Sequence, residues 1–469
     1  MFSSASRRRI ALVAVFLAAV MDLLDGTVVN VVLPAIQREL GADNAAAGWI
    51  ASGYTLALGV LLTVGGRAGD RYGHRRVLLA GTAGFAAASL ACAAAPTAGV
   101  LITARVAQGA ASALMVPQAL ALVQLLHAPR ERARAMGLFA TVTGLTTVAG
   151  PVAGALLAEA DVLGLGWRAV FLINVPVSGC VLAGVRTLPR TPVAARDTLD
   201  LPGAALLALG LVAVVLPLLQ GGEAGATWWA GALPVLACVP LAAFVARERA
   251  RTARGLPVLV DTRLFRHRGL TGAVVVSGLV FAAVHGLFFT LALYLQRGLD
   301  RSVATAALTV LPWSLGIPLA STPASRFLVP RHGRRVLGAG IAVLAAGLAG
   351  TGGALTAAPT GPGTLALAPW LLLAGCGMGL IVSPLLTLGL AEVPAHGTGT
   401  AAGLLQNVQQ LGGAIGLACA AALYSAPLAS ASPGAAEATS AFRLVVWSLA
   451  GLCCATVPAV LLLPRRPES

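Results

Sequence analysis

The chain has 469 residues, 58% of them hydrophobic and 10% charged, with a mean hydropathy of +0.87 and a formal net charge of +15. A soluble chain carries about 25% charged residues and needs them to cover its surface, so a water-soluble enzyme, a nucleic-acid-binding protein and a disordered chain are all excluded. All 32 basic residues are arginine. With no lysine there is no standard Walker A phosphate contact and no Schiff-base or PLP chemistry, so any work must draw on a source other than ATP hydrolysis by this chain. No cofactor is expected.

A membrane-spanning helix needs about 20 mostly apolar residues. Read in chain order, apolar runs of that kind lie near 10–33, 47–65, 77–95, 99–126, 135–158, 168–188, 201–219, 228–246, 268–293, 303–325, 336–358, 365–391, 401–424 and 441–463. That predicts fourteen spans. The first run is too long for a signal peptide, carries two aspartates and lacks a cleavage site, so it is read as a retained span. The seven cysteines fall inside apolar runs with no CxxC or Cys/His spacing, which makes them small hydrophobes and predicts no metal site.

Arginine placement predicts orientation. With the N-terminus cytoplasmic, that side holds three arginines at 7–9, four in 67–76, three in 130–134, three in 186–196, seven in 247–268, four in 326–335 and two at 465–466, 26 in all. Arg38, Arg168, Arg297, Arg301 and Arg443 fall outside, and Arg105 lies within a span. Both termini are therefore expected inside a bacterial plasma membrane, and the excess charge is a topology signal, with no nucleic-acid partner. The sequence also repeats. Gly66-Arg67-Ala68-Gly69-Asp70-Arg71-Tyr72-Gly73-His74-Arg75-Arg76 follows the second span, and Arg331-His332-Gly333-Arg334-Arg335 follows the tenth. Gly150-Pro151-Val152-Ala153-Gly154 is echoed by Gly412-Gly413-Ala414-Ile415-Gly416. Spans one to six thus match nine to fourteen. The expected fold is all-α and polytopic: a six-helix bundle over 1–195, a two-helix insertion and loop over 196–262, and a second six-helix bundle over 263–469. Two bundles in parallel repeat is transporter architecture, with substrate near the midplane.

The first span carries Asp22 and Asp25 one turn apart on one face of Leu24-Asp25-Gly26-Thr27-Val28-Val29-Asn30-Val31-Val32-Leu33-Pro34. A charged carboxylate at the bilayer centre costs about 2.5–3.5 kcal/mol. Burial penalises the charged form, so such a group can take up and release a proton. The plainer alternative is a hydrated structural aspartate near the outer interface. Arg105 opens Arg105-Val106-Ala107-Gln108-Gly109-Ala110-Ala111-Ser112-Ala113 in span four. An arginine there needs a partner or a wet cavity; the alternative is a snorkelling side chain on helix carbonyls. In the 66–76 loop, Gly66 and Gly73 permit a tight turn, and Asp70 can pair with Arg71, Arg75 or Arg76 or face a helix N-terminus; a purely topological loop is the alternative. In span five, Gly144, Gly150, Pro151 and Gly154 combine a kink with close helix approach. Asn30, Gln108, His285, Asn407 and Gln410 are the polar candidates to line a substrate cavity, although a hydrogen-bonded structural histidine is the plainer reading of His285. Trp167 at the start of span six is expected as an interfacial anchor, and Pro312 is expected to break span ten.

Taken together and in order, these motifs resemble the major facilitator superfamily and, within it, the fourteen-span drug:proton antiporters. The resemblance covers nearly the whole chain, with Ala68 and His74 departing from the loop motif. It implies alternating access, proton coupling at Asp25 and Asp22 assisted by Arg105, a gating latch at the 66–76 loop, and an antiporter helix in span five. It implies a monomeric exporter of small amphipathic or cationic compounds such as drugs or antibiotics. A dedicated exporter of one endogenous metabolite or lipid is the nearer alternative, and a polytopic membrane enzyme or sensor the remoter one.

Overall fold

The computed structural model describes residues 4–125, 142, 146, 150, 154, 156, 164–187, 200–220, 228–256, 258–393, 398–428 and 434–464. The regular elements among them are helical, as expected of apolar chain in a bilayer, where every backbone polar group must be satisfied within its own segment. The helices are α1 (Ser4–Leu40), α2 (Asn44–Tyr72), α3 (His74–Ala93), α4 (Ala98–Leu125), α5 (Arg168–Leu172), α6 (Asn174–Arg186), α7 (Leu201–Gln220), α8 (Trp228–Leu236), α9 (Cys238–Ala253), α10 (Arg268–Leu293), α11 (Val303–Pro323), α12 (Val329–His332), α13 (Arg334–Ala357), α14 (Thr364–Gly389), α15 (Thr398–Ser425), α16 (Ala435–Ala455) and α17 (Val457–Val460). Twelve helical stretches among the described residues are long and apolar enough to cross a membrane.

Several boundaries depart from the sequence reading, with proline behind most of them. Pro176 and Pro240 have no N–H to donate four residues back and crowd that carbonyl. The chain turns just before each, at Ile173 and at Ala237, so span six and the 228–246 run are each two stacked helices. The second of these continues to Ala253 and carries Arg247, Arg249 and Arg251 on helix rather than in a loop. Pro312, by contrast, does not break span ten: α11 runs through it and through Pro318 before widening into a π-helical turn over Ala324–Leu328. The 66–76 segment is not an open loop either. Residues as far as Tyr72 are helical, α3 begins at His74, and Gly73 alone makes the turn at φ 89°. Gly333 does the same between α12 and α13 at φ 53°.

The chain divides into two compact units, Met1–Ala208 and Leu209–Ser469. Within each, glycines let helix backbones touch. In the first unit a Cβ on Gly109 of α4 would lie 2.3 Å from Tyr54 O of α2. In the second, a Cβ on Gly375 of α14 would lie 2.1 Å from Trp313 O of α11. Spans two and four thus pack as spans ten and twelve do, which gives the sequence repeat a structural counterpart. A second counterpart sits beside the turn glycines. Arg75 Nη2 donates to Arg186 O at 2.8 Å, at the end of span six, and Arg334 Nη1 donates to Leu461 O at 2.8 Å, at the end of span fourteen. Each arginine satisfies carbonyls that a helix terminus leaves free. Because an L side chain is strained at the backbone angles of Gly73 and Gly333, Gly73→Ala and Gly333→Ala should each cost about 1–3 kcal/mol. A drop in the thermal midpoint of the detergent-solubilised protein checks this, and an unchanged midpoint at both sites would exclude the strained turns.

Candidate functional site

Asp25 lies near the middle of the first membrane-crossing stretch, Leu12–Leu40. Placed one turn apart on α1, Asp22 and Asp25 project toward α2 and α4. Asp25 forms a buried ion pair with Arg105 Nη1, both side chains at 1% exposure or less. Two amides complete its shell: Gln108 Nε2 donates to Asp25 Oδ1 at 2.8 Å, and Asn174 Nδ2 donates to the same oxygen at 2.8 Å. Arg105 also donates from Nη1 to Gln108 Oε1 at 2.7 Å and from Nε to Ile50 O at 3.2 Å. Its guanidinium lies 4.3 Å from the Tyr54 ring centre and 5.8 Å from that of Phe171, so both π-faces add attraction in a dry site. Ser89 Oγ accepts from Gln108 at 2.9 Å and from Asn174 at 3.3 Å, and so fixes both amides. An intramembrane arginine must be paired, and here it is paired on every side.

Asp22 has a different shell. Its Oδ1 accepts from Tyr54 Oη at 2.5 Å and from Ser112 Oγ. Tyr54 therefore joins the two carboxylates, holding Asp22 with its hydroxyl and Arg105 with its ring. With both carboxylates and Arg105 ionised and Tyr54 neutral, the cluster carries two negative charges and one positive. The arrangement can store or release one proton and can change its contacts when it does so. The described residues hold no group of three or more His, Cys, Asp or Glu able to bind a metal.

The remaining predicted positions divide as follows. Gly66 sits within α2, where a Cβ would find ordinary space beside Pro117, whereas Gly69 has none: a Cβ there would lie 2.0 Å from Gln118 Oε1. Asp70 lies 3.6 Å from His74 Nε2, the position that departs from the family loop motif. Arg71 covers the Tyr72 ring at 5.2 Å, and Arg76 is exposed. Gly144 and Pro151 lie outside the described residues. Gly150 and Gly154 are described and pack on α1, where a Cβ would lie 2.2 Å from Thr27 Oγ1 and 2.4 Å from Val28 Cγ1. Gly412 and Gly416 of α15 press on α10 in the same way, 2.4 Å from Gly278 O and 2.2 Å from Ala282 O.

Of the cavity candidates, Gln108 belongs to the charge cluster. Asn30 reaches back to Gly26 O at 3.5 Å. His285 binds Phe281 O at 2.9 Å through Nδ1 and lies flat against Gly413; Asn407 is buried and Gln410 half-buried on α15. Trp167 packs inward: it is 2% exposed, stands edge-on to Phe171 and donates to Glu39 Oε2 at 2.6 Å.

Sequence reasoning missed Tyr54, Ser89, Phe171 and Asn174 as parts of the site, and passed over Ser112 inside the motif quoted for Arg105. One signal was available. Arg105, Gln108 and Ser112 follow helical spacing and share one face of α4.

Residues 15–417 match the family profile described as the Major Facilitator Superfamily. The chain is 39% identical over 446 residues to a probable actinorhodin transporter of Streptomyces coelicolor, covering 92% of this chain and 76% of that protein. It is 38% identical over 416 residues to a puromycin resistance protein of Streptomyces alboniger, covering 88% and 81%. Its fold matches that of a bacterial homologue of the human lysosomal transporter Spinster, at a TM-score of 0.69 and 17% identity, covering 98% of this chain and 97% of that one.

Proposed function

Because the chain belongs to the major facilitator superfamily, a family of membrane transporters and not of enzymes, we propose that it is a proton-coupled exporter of antibiotic-like small molecules from a bacterial cell. The observation that carries the coupling is the buried Asp25–Arg105 pair with Asp22 beside it. Charges at that depth are costly and belong to ion pathways. The substrate class rests on the relatives, which are named for actinorhodin transport and for puromycin resistance.

Fourteen spans with both termini cytoplasmic complete the proposal. Twelve membrane-length stretches are counted among the described residues. The 135–158 run lies mostly outside those residues, and α8 with α9 makes a 26-residue helical stretch interrupted only at Ala237. Adding both would give fourteen, and the arginine bias supports cytoplasmic termini. The protein would act as a monomer in the bilayer, exchanging protons for substrate by alternating access. The energetics suffice: one proton moving down about 150 mV supplies roughly 3.5 kcal/mol, enough for a gradient of a few hundredfold.

Everted membrane vesicles test this. Adding puromycin to vesicles holding an acidic interior should dissipate the pH gradient with the wild-type protein and not with Asp25→Asn. No dissipation with wild type, or export by Asp25→Asn equal to wild type, would end the coupling proposal.

A further inference from the structure

The two carboxylates of the cluster are not equivalent, and their hydrogen-bond partners say how. Around Asp25 every polar contact only donates. Arginine has no acceptor, and the orientation of Gln108 is forced, since the atom facing Arg105 Nη1 must be its oxygen and its Nε2 therefore faces Asp25. Asn174 likewise presents Nδ2. A proton added to Asp25 would meet three donors and would strip Arg105 of its counter-ion in a dry interior. Around Asp22 both contacts are hydroxyls, from Tyr54 and Ser112. A hydroxyl donates or accepts as required, so it can satisfy Asp22 as a carboxylate and also receive the O–H of the acid. Access differs in the same sense: Asp22 is 9% exposed and Asp25 2%.

We infer that Asp22 carries the exchanged proton on the Tyr54–Ser112 hydroxyl pair, while Asp25 remains ionised as the fixed counter-ion that positions Arg105. This rests on the proton-coupled reading above. The charged and titratable groups facing Asp22 are Asp25 on its own helix, Tyr54 from α2 and Arg105 from α4. From α4 also comes Ser112, which donates to Asp22; beyond it the Phe171 ring of α5 lies against Arg105, and from α6 the neutral Asn174 donates to Asp25 and Ser178 to Met21 Sδ. One proton from the solvent binds one Asp22 carboxylate oxygen, so the cluster passes between a net charge of −1 and zero. The site then exchanges a single proton per cycle. Deprotonated, it leaves one uncompensated negative charge; protonated, it leaves none.

Infrared difference spectroscopy of the full-length reconstituted protein reads this without any substrate. As pH falls, wild type should gain a buried carboxylic-acid C=O band that is lost in Asp22→Asn and kept in Asp25→Asn. Ser112→Ala, which touches only the Asp22 side, should shift the frequency of that band, and this keeps the assignment testable if Asp22→Asn fails to fold. A band lost in Asp25→Asn but kept in Asp22→Asn overturns the inference, as does no band in wild type or no shift in Ser112→Ala. The coupling reading fails separately. If the Asp22 band titrates and puromycin still never dissipates a pH gradient, the proton site stands and the antiport proposal falls.

Discussion

Arg105→Gln is expected to abolish substrate-driven proton flux and to lower stability by about 3–5 kcal/mol, the cost of leaving one member of a buried ion pair without the other. The size of the effect follows from how completely the guanidinium is used. It neutralises Asp25, donates to Gln108 Oε1 and Ile50 O, and rests on the Tyr54 ring. Glutamine is too short and too weak a donor to hold these contacts, so an uncompensated carboxylate would remain in a dry interior. Asp25→Asn should cost stability on the same scale, because it leaves the permanently charged Arg105 buried without its counter-ion, and it should lose transport as fully. The double variant removes both charges. It should regain part of the stability lost in Arg105→Gln while transporting nothing, and the double-mutant cycle then gives the pair's coupling energy. Thermal midpoints in detergent together with vesicle proton flux read both quantities. A thermal midpoint for Arg105→Gln equal to wild type would show that the pair is not buried as described.

The ease of finding Asp25 and Arg105 in the sequence, and the difficulty of finding their partners, have one physical cause. In an apolar span a formal charge stands out, because the bilayer charges a free-energy penalty for it wherever it sits. Tyr54, Ser89, Ser112 and Phe171 carry no such signal. A serine or a tyrosine is tolerated at many depths, and only the tertiary arrangement of α1 to α6 turns these four into a shell. The all-α, many-span fold was legible because apolar length is a global signal that survives local error. What failed was local. Pro312 does not break its helix, which runs through it, and in the glycine-rich segment after span two Gly73 alone turns the chain where sequence spacing predicts a loop. A bilayer holds helices together around a proline by packing that a single sequence does not display.

Gly416→Ala should be the most damaging of the alanine substitutions at the two glycine echoes, because of what a methyl group there would meet. Its Cβ would lie 2.2 Å from Ala282 O and 2.3 Å from Ala282 Cα, both backbone atoms of α10 that cannot rotate away. The helices must separate, and overpacking of this kind costs about 1–3 kcal/mol. At Gly150, which matches Gly412, the obstacle is Thr27 Oγ1 at 2.2 Å, with the next atom at 3.3 Å. Thr27 can turn, giving up its bonds to Leu23 O and Leu24 O at a cost of about 1 kcal/mol. Gly154 falls between the two, since its neighbour Val28 is β-branched and stiff. Against each cost stands the gain in helix propensity on replacing glycine with alanine, about 0.8–1.0 kcal/mol in soluble helices. That gain nearly cancels the cost at Gly150 and falls short at Gly416. Gly353 of α13, where a Cβ meets nothing within 4 Å, isolates the gain. The expected order of thermal midpoints is therefore Gly353→Ala highest, then Gly150→Ala, Gly154→Ala and Gly416→Ala, with Gly416→Val yielding little monodisperse protein at all. Were Gly416→Ala as stable as Gly353→Ala, the close approach of α10 and α15 would be wrong, and with it the reading that one pattern of glycine contacts was used in both units.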